Sequence, residues 1–242
     1  MARTSAPPAA AARPEFFRGA RSFAPLAISI AAYGVVWGVL AGQAGMSVLE
    51  VLLMSGLVFA GASQFVVLDM WSTSALPVVS IIVATAIINL RMVLMSATMR
   101  PLVAHLPRWR AMLTIALVTD EDWALTMGEV GRGRGSVAFF LGAATLCYVT
   151  WVGATVAGRL VGAAIDDPTT YGLDFAFTAT FLALLFGMWK GRLDLIPWIA
   201  AAVIAIATAR LVPGNWYIIA GGIGGSFIGA LIETRRTRHA AS

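Results

Sequence analysis

Long apolar runs separated by single charged residues dominate the chain from beginning to end. A helix needs about 20 mostly apolar residues to cross the hydrocarbon of a bilayer. Seven stretches without a charge approach or exceed that length: residues 22–49, 51–68, 70–90, 135–158, 175–189, 195–209 and 211–232. The shorter ones can reach full length because flanking charged side chains extend toward the membrane surface. The pattern predicts an all-α, polytopic membrane protein.

The composition supports this class and excludes others. Of 242 residues, 59% are hydrophobic and 12% are charged, whereas soluble domains carry about 25% charged residues. Unbroken apolar runs also disfavour a transmembrane barrel, whose strands alternate between apolar and polar positions. The formal charge of +5 is an orientation signal rather than a nucleic-acid footprint, because no basic patch is interleaved with aromatic residues.

The chain divides into three parts. Residues 1–21 are rich in Ala and Pro and hold four arginines, which indicates a disordered basic cytoplasmic tail; a secretory signal is the alternative. Residues 22–232 form the predicted transmembrane domain, and residues 233–242 form a second basic cytoplasmic tail. With both termini in the cytoplasm, the acidic stretch at residues 166–174 is expected outside.

Simple crossing by every segment conflicts with this orientation, because the basic loop at residues 100–110 would then lie outside. A re-entrant segment at residues 47–71, broken near Gly61, would remove the conflict. Residues 112–118 are too short to span alone and suggest a second partial segment. The sequence therefore leaves two topologies open: six full spans with two broken segments, or eight spans with one orientation violation.

Two polar clusters interrupt the apolar runs. In the first, Gly61, Ala62, Ser63 and Gln64 combine a predicted helix break with an amide and a hydroxyl. Broken helices use such ends to hold a zwitterion at mid-membrane, although Gln64 could instead bond a neighbouring helix. In the second, Asn89 and Arg91 lie within an apolar stretch. A buried arginine needs an acid or an anionic ligand, so Arg91 fits either an ion pair or a carboxylate site.

A third cluster consists of the consecutive acids Asp120, Glu121 and Asp122. Asp69 and any one of these three acids are possible ion-pair partners for Arg91. Asp120 or Glu121 could instead face a substrate ammonium or carry a coupling proton, because burial raises the pKa of a carboxyl group. A helix end in water is the simpler explanation for three adjacent acids. The sequence contains no metal-ligand spacing, cofactor motif or supported catalytic dyad, so an enzyme is not expected.

At these clusters the sequence resembles the AzlC family. The matching strings run from Phe59 to Phe65, from Asn89 to Arg91 and from Thr119 to Glu121, and the similarity extends over residues 16–231. Residues 173–176 also match. Met92 stands where the family often has His, and Asp122 stands where an uncharged residue is usual.

The resemblance implies a bacterial inner-membrane permease that exports branched-chain amino acids such as valine, leucine and isoleucine, together with a small AzlD-type membrane protein. The site is expected at the few polar groups and the helix break in apolar surroundings, so the predicted substrate-binding residues are Gly61, Ala62, Ser63, Gln64, Asn89 and Arg91. Asp120, Glu121 and Asp69 would serve ion pairing or coupling, and Phe59, Phe65 and Met95 would line an apolar pocket. A non-transporting scaffold subunit and a permease for another small solute remain alternatives. The sequence does not specify an oligomeric state.

Overall fold

The computed structural model describes residues 9–71, 76–162, 195–212 and 216–240, together with the single residues 182, 186, 189 and 191. These residues form helices and no strand, which confirms the all-α prediction. The helices are α1 (Ala9–Gln43), α2 (Val48–Leu53), α3 (Gly61–Trp71), α4 (Val78–Val103), α5 (Arg108–Ile115), α6 (Asp120–Gly131), α7 (Val137–Gly162), α8 (Leu195–Leu211) and α9 (Trp216–Ala240). The acidic stretch at residues 166–174, the motif at 173–176 and most of the span at 175–189 lie outside the described residues.

Within the described part of the chain, three helices are long and apolar enough to cross a membrane. They are Ala12–Gln43 in α1, Val78–Val103, which is all of α4, and Val137–Gly162, which is all of α7. Shorter apolar helices cover Val48–Val58, Leu195–Leu211 and Ala220–Ile232. The protein is therefore a helical membrane protein in which some segments are too short to cross as single straight helices.

Helices α1 and α7 pack backbone to backbone. Gly19 and Gly38 of α1 lie against the carbonyl groups of Phe139 and Thr155, and a Cβ atom at either glycine would overlap them. A glycine of α7 likewise lies against the backbone of α1, since a Cβ atom at Gly158 would overlap the Val35 carbonyl. Small residues let membrane helices approach closely enough for such contact. The α1–α7 pair is therefore a closely packed support for the elements around it.

The predicted disordered tail is wrong for the part of it that the structure describes. Helix α1 begins at Ala9, so residues 9–21 are helical. Two contacts explain the order: Arg18 pairs with Glu15 and Glu129, and the Arg18 guanidinium lies 4.4 Å from the Phe139 ring centre. Glu129 and Phe139 lie on other helices, so the composition of the tail does not reveal these two contacts. At the other end, α9 continues to Ala240.

Two helical segments are interrupted. A π-helical turn, Met54–Val58, follows α2, and the chain then leaves helical geometry at Phe59 and Ala60 before α3 begins at Gly61. The break predicted near Gly61 therefore begins two residues earlier, at Phe59. Residues Gly61 to Gln64 form the first turn of α3. The second interruption separates α5 from α6 at residues 116–119.

The chain forms two compact units. The first holds residues up to 68 and residues 89–174, and the second holds residues 69–88 and those from 175 onward. In the second unit, α8 packs against α9 through small residues. Cβ atoms added to Gly221 and Gly225 would lie 3.0 and 2.6 Å from the Cβ atoms of Ala205 and Ala201. All the groups of the candidate site lie in the first unit, apart from Asp69.

Candidate functional site

The first interruption is held by side chains that take over the missing backbone hydrogen bonds. Phe59 adopts a left-handed conformation with φ of 45°, which ends the π-helical turn. The Tyr148 hydroxyl donates to the Gly56 carbonyl at 3.0 Å, and the Ser63 hydroxyl donates to the Ala60 carbonyl at 2.9 Å. Since unpaired backbone groups are costly away from water, these bonds allow the chain to break inside an apolar region.

Gln64 closes the same interruption from within α3. Its side-chain oxygen accepts the Ala60 N–H at 3.2 Å and the Trp151 indole N–H at 3.1 Å, and its amide nitrogen donates to the Ser55 hydroxyl at 3.3 Å. The side chain is fully buried. Three of its four hydrogen-bonding positions are therefore occupied by the protein.

The second interruption ends in a capping box at the start of α6. The Thr119 hydroxyl accepts the Asp122 N–H, and the Asp122 carboxylate accepts the Thr119 N–H at 2.9 Å. On the side facing α7, the Thr119 hydroxyl lies 3.8 Å from the Cys147 sulfur. This reciprocal arrangement satisfies two donors that the start of a helix leaves free.

One turn of α7 contacts both interruptions. Tyr148 and Trp151 bond the first, and Cys147 lies against the second. From Cys147 to Trp151 the helix rises only about 6 Å. These residues lie at the centre of Val137–Gly162, which is long enough to cross the membrane. The two helix breaks therefore meet at the same level, halfway along a membrane-spanning helix.

The polar residues of α4 lie where the two interruptions meet. This junction consists of residues 59–64, residues 116–120 and the turn of α7 at residues 147–151. Asn89 donates from its amide nitrogen to the Ser63 hydroxyl at 3.4 Å, and Arg91 forms an ion pair with Asp120 at 2.8 Å. Both occupy the middle of Val78–Val103. The Asn89 side-chain oxygen and the Arg91 Nε are buried without a hydrogen-bond partner. The junction therefore joins first-turn residues of α3 and α6 to α4 and leaves polar atoms free.

Sequence reasoning missed Tyr33 on α1. Its ring stacks on Phe65 with centroids 4.6 Å apart and lies 5.6 Å from the Trp151 ring. A Cβ atom at Gly61 would be 3.1 Å from the Tyr33 ring, so the start of α3 lies directly against it. The hydroxyl is buried and unpartnered. No motif marks this residue, because a single tyrosine in an apolar helix is ordinary.

The acids of α6 differ in their surroundings. The Asp120 side chain is 45% exposed and paired with Arg91, whereas Asp122 is fully buried. The second carboxylate oxygen of Asp122 and the hydroxyl of Thr126, one turn later, have no hydrogen-bond partner. In the described residues no group of three or more His, Cys, Asp or Glu side chains could hold a metal ion. Asp69 belongs to α3, and its side chain is outside the described part.

The three residues expected to form an apolar pocket do not share one cluster. The Phe59 ring contacts Tyr148, and the Phe65 ring contacts Tyr33, so both belong to the region of the first interruption. Met95 instead lies in a separate apolar cluster that includes Val118 and Phe140. The aromatic wall of the junction is thus formed by α1, α3 and α7.

A charged cluster lies at the far end of α6. Glu129 pairs with Arg18, with Arg132 at 3.1 Å and with Arg134 at 3.0 Å. The hydrogen bond from Arg18, followed by those from the other two arginines, lowers the pKa of the Glu129 carboxyl from its usual value. This network ties the end of α6 to α1 and to the loop before α7, at a distance along α6 from the junction.

Comparison with known proteins identifies the family. The AzlC protein family matches residues 25–165. An uncharacterized membrane protein of Archaeoglobus fulgidus is 33% identical over 69% of this chain and 73% of its own. The inner membrane protein YgaZ of Escherichia coli is 27% identical over 85% and 86%, respectively. The branched-chain amino acid transport protein AzlC of Bacillus subtilis is 23% identical over 86% and 82%.

No solved structure matches the chain. The family match covers more than half of the chain and includes both helix interruptions, the centre of α4 and the whole of α6. The resemblance seen in the sequence motifs is thereby confirmed. This all-α membrane protein belongs to the AzlC family.

Proposed function

We propose that this protein is a secondary active permease of the bacterial inner membrane that exports valine, leucine, isoleucine and similar apolar amino acids. Methionine is one of the similar amino acids to be tested. The family, and the name of the Bacillus subtilis relative as a branched-chain amino acid transport protein, support amino acid transport. A small AzlD-type membrane protein is the expected partner.

The observation that carries the proposal is the meeting of two helix interruptions halfway along α7. Secondary transporters bind substrate near the bilayer midplane at discontinuous helices. An amino acid presents opposite charges to such a site, together with an apolar side chain. The junction offers matching groups: Arg91 and Asn89 for the carboxylate, Asp120 or Glu121 for the ammonium or a coupling proton, and aromatic rings for the side chain.

We infer two roles within the segment from Gly61 to Gln64. Gln64 is largely occupied by Ala60, Ser55 and Trp151, so we assign it to positioning the start of α3. The first-turn N–H groups of Gly61, Ala62 and Ser63 belong to the positive end of a helix, which favours a carboxylate. Arg91 would add a full charge beside them, and substrate would compete with Asp120 for it.

The test is efflux of preloaded labelled valine, leucine and methionine from cells that lack their own exporters. Wild type should empty the cells faster than vector alone. Arg91→Ala should reduce the efflux rate to the vector level, because the substrate carboxylate loses its charged partner. Arg159→Ala is a suitable control, since Arg159 is another arginine in a membrane-spanning helix but bonds the Met46 carbonyl. Equal membrane levels of the variants should be checked by immunoblot.

Wild-type efflux in Arg91→Ala would remove this residue from the binding site. Absence of efflux by wild type, with and without an AzlD-type partner, would instead remove the export proposal. The scaffold alternative predicts that purified chain in liposomes does not exchange labelled for unlabelled leucine, whereas a carrier does. Exchange by the chain alone would exclude the scaffold, and exchange only with the partner would assign transport to the complex.

A further inference from the structure

The buried Tyr33 hydroxyl has no hydrogen-bond partner, although its ring packs against the start of α3 at the junction. A buried hydroxyl normally finds a partner, and leaving one unmade is costly. The Tyr33 ring lies against Gly61, the first residue of α3, and Ser63 in the same turn is bonded to Asn89 of α4. Tyr33 therefore belongs to the same region as the polar groups of α4, although its hydroxyl bonds none of them.

The ring of Tyr33 is held in place by its neighbours. It stacks on Phe65, lies at a tilt to Trp151 and is in contact range of Gly61 at the start of α3. Such packing immobilises the side chain, so the hydroxyl is presented at a defined position before any ligand arrives. Preorganised polar groups of this kind raise affinity because little freedom is lost on binding.

We propose that the Tyr33 hydroxyl is a substrate-binding group that donates a hydrogen bond to the carboxylate of the transported amino acid. The inference rests on the proposed function and adds to it a residue on α1. A phenol donates well to an anionic oxygen, and such a bond is stronger than one between neutral groups.

The decisive variant is Tyr33→Phe, which keeps the ring contacts and removes only the hydroxyl. In liposomes preloaded with unlabelled leucine, counterflow of labelled leucine should show KM raised about ten- to a hundredfold with maximal rate unchanged. Wild-type KM in Tyr33→Phe would overturn the inference while leaving the transport function intact. Absence of counterflow in wild type would instead count against the proposed function.

A second readout separates binding from a purely structural effect. 3-Methylbutylamine has the side chain and amine of leucine but no carboxylate. In wild type it should compete far less well than leucine, and in Tyr33→Phe that difference should shrink about tenfold or more, because only leucine loses a bond. A structural defect would weaken both ligands equally, and that result would contradict the inference.

Tyr148→Phe is the matched control, because it removes a hydroxyl that does have a protein partner, the Gly56 carbonyl. It should lower the melting temperature of the purified protein and leave the leucine-to-amine preference as in wild type. Tyr33→Phe should keep the melting temperature without ligand but require more leucine to raise it. This thermal measurement reports leucine binding even for a variant that does not transport. If the same leucine concentrations raised the melting temperatures of Tyr33→Phe and wild type equally, the role of Tyr33 would be refuted.

Discussion

At the scale of single residues, the junction contains two kinds of polar group. Some form hydrogen bonds within the protein, and others have no hydrogen-bond partner. Gln64 bonds three partners, whereas the Asn89 side-chain oxygen, Arg91 Nε and the Tyr33 hydroxyl bond none. All four side chains are polar residues in apolar runs. Their sequence context does not distinguish them, because the distinction depends on which atoms of distant segments come within hydrogen-bond distance.

Gln64→Ala should therefore act mainly on stability. It removes hydrogen bonds to Ala60, Ser55 and Trp151 and leaves buried partners unsatisfied, which costs about 1–3 kcal/mol per unsatisfied group. Thermal unfolding of the purified protein in lipid nanodiscs should show a clear decrease in melting temperature. Gln43→Ala is the control, because Gln43 is exposed at the end of α1. Equal melting temperatures for the two variants would disprove the structural role of Gln64.

At the scale of elements, α7 organises the first unit. One of its faces packs against α1 through glycines, and its central turn contacts both interrupted segments. The sequence predicted both interruptions in outline, from Gly61 and from the short run at residues 112–118. It misplaced the first one, because the π-helical turn and the left-handed Phe59 depend on bonds supplied by Tyr148 and Gln64.

The α1–α7 contact predicts different effects for two glycines of the same helix. Gly158→Ala places a methyl group into the Val35 carbonyl and forces the helices apart, with an expected loss of about 1–3 kcal/mol. Gly153→Ala should be neutral, since nothing lies within 4 Å of the added Cβ atom. Thermal unfolding in nanodiscs measures both. A Gly153→Ala variant as unstable as Gly158→Ala would contradict this packing.

At the scale of the whole molecule, orientation in the membrane follows from the distribution of charges. We expect both termini in the cytoplasm and the acidic stretch at residues 166–174 outside. Thr4→Cys and Ser242→Cys should react with a membrane-impermeant maleimide only after the inner membrane is opened, and Thr169→Cys should react in intact spheroplasts. The native Cys147 is buried and should stay unlabelled. Labelling of Ser242→Cys in intact spheroplasts would reverse the predicted orientation of the C-terminus.

The class of this protein, its family and the unusual polar positions in its apolar runs could all be predicted from the sequence. These features are local, since hydrophobicity and short motifs are properties of consecutive residues. The folded structure was needed to show that two interruptions meet at one turn of α7, that Trp151 bonds Gln64 and that Tyr33 belongs to the junction. Each of these depends on contacts between residues far apart in the chain, which neither spacing nor composition encodes.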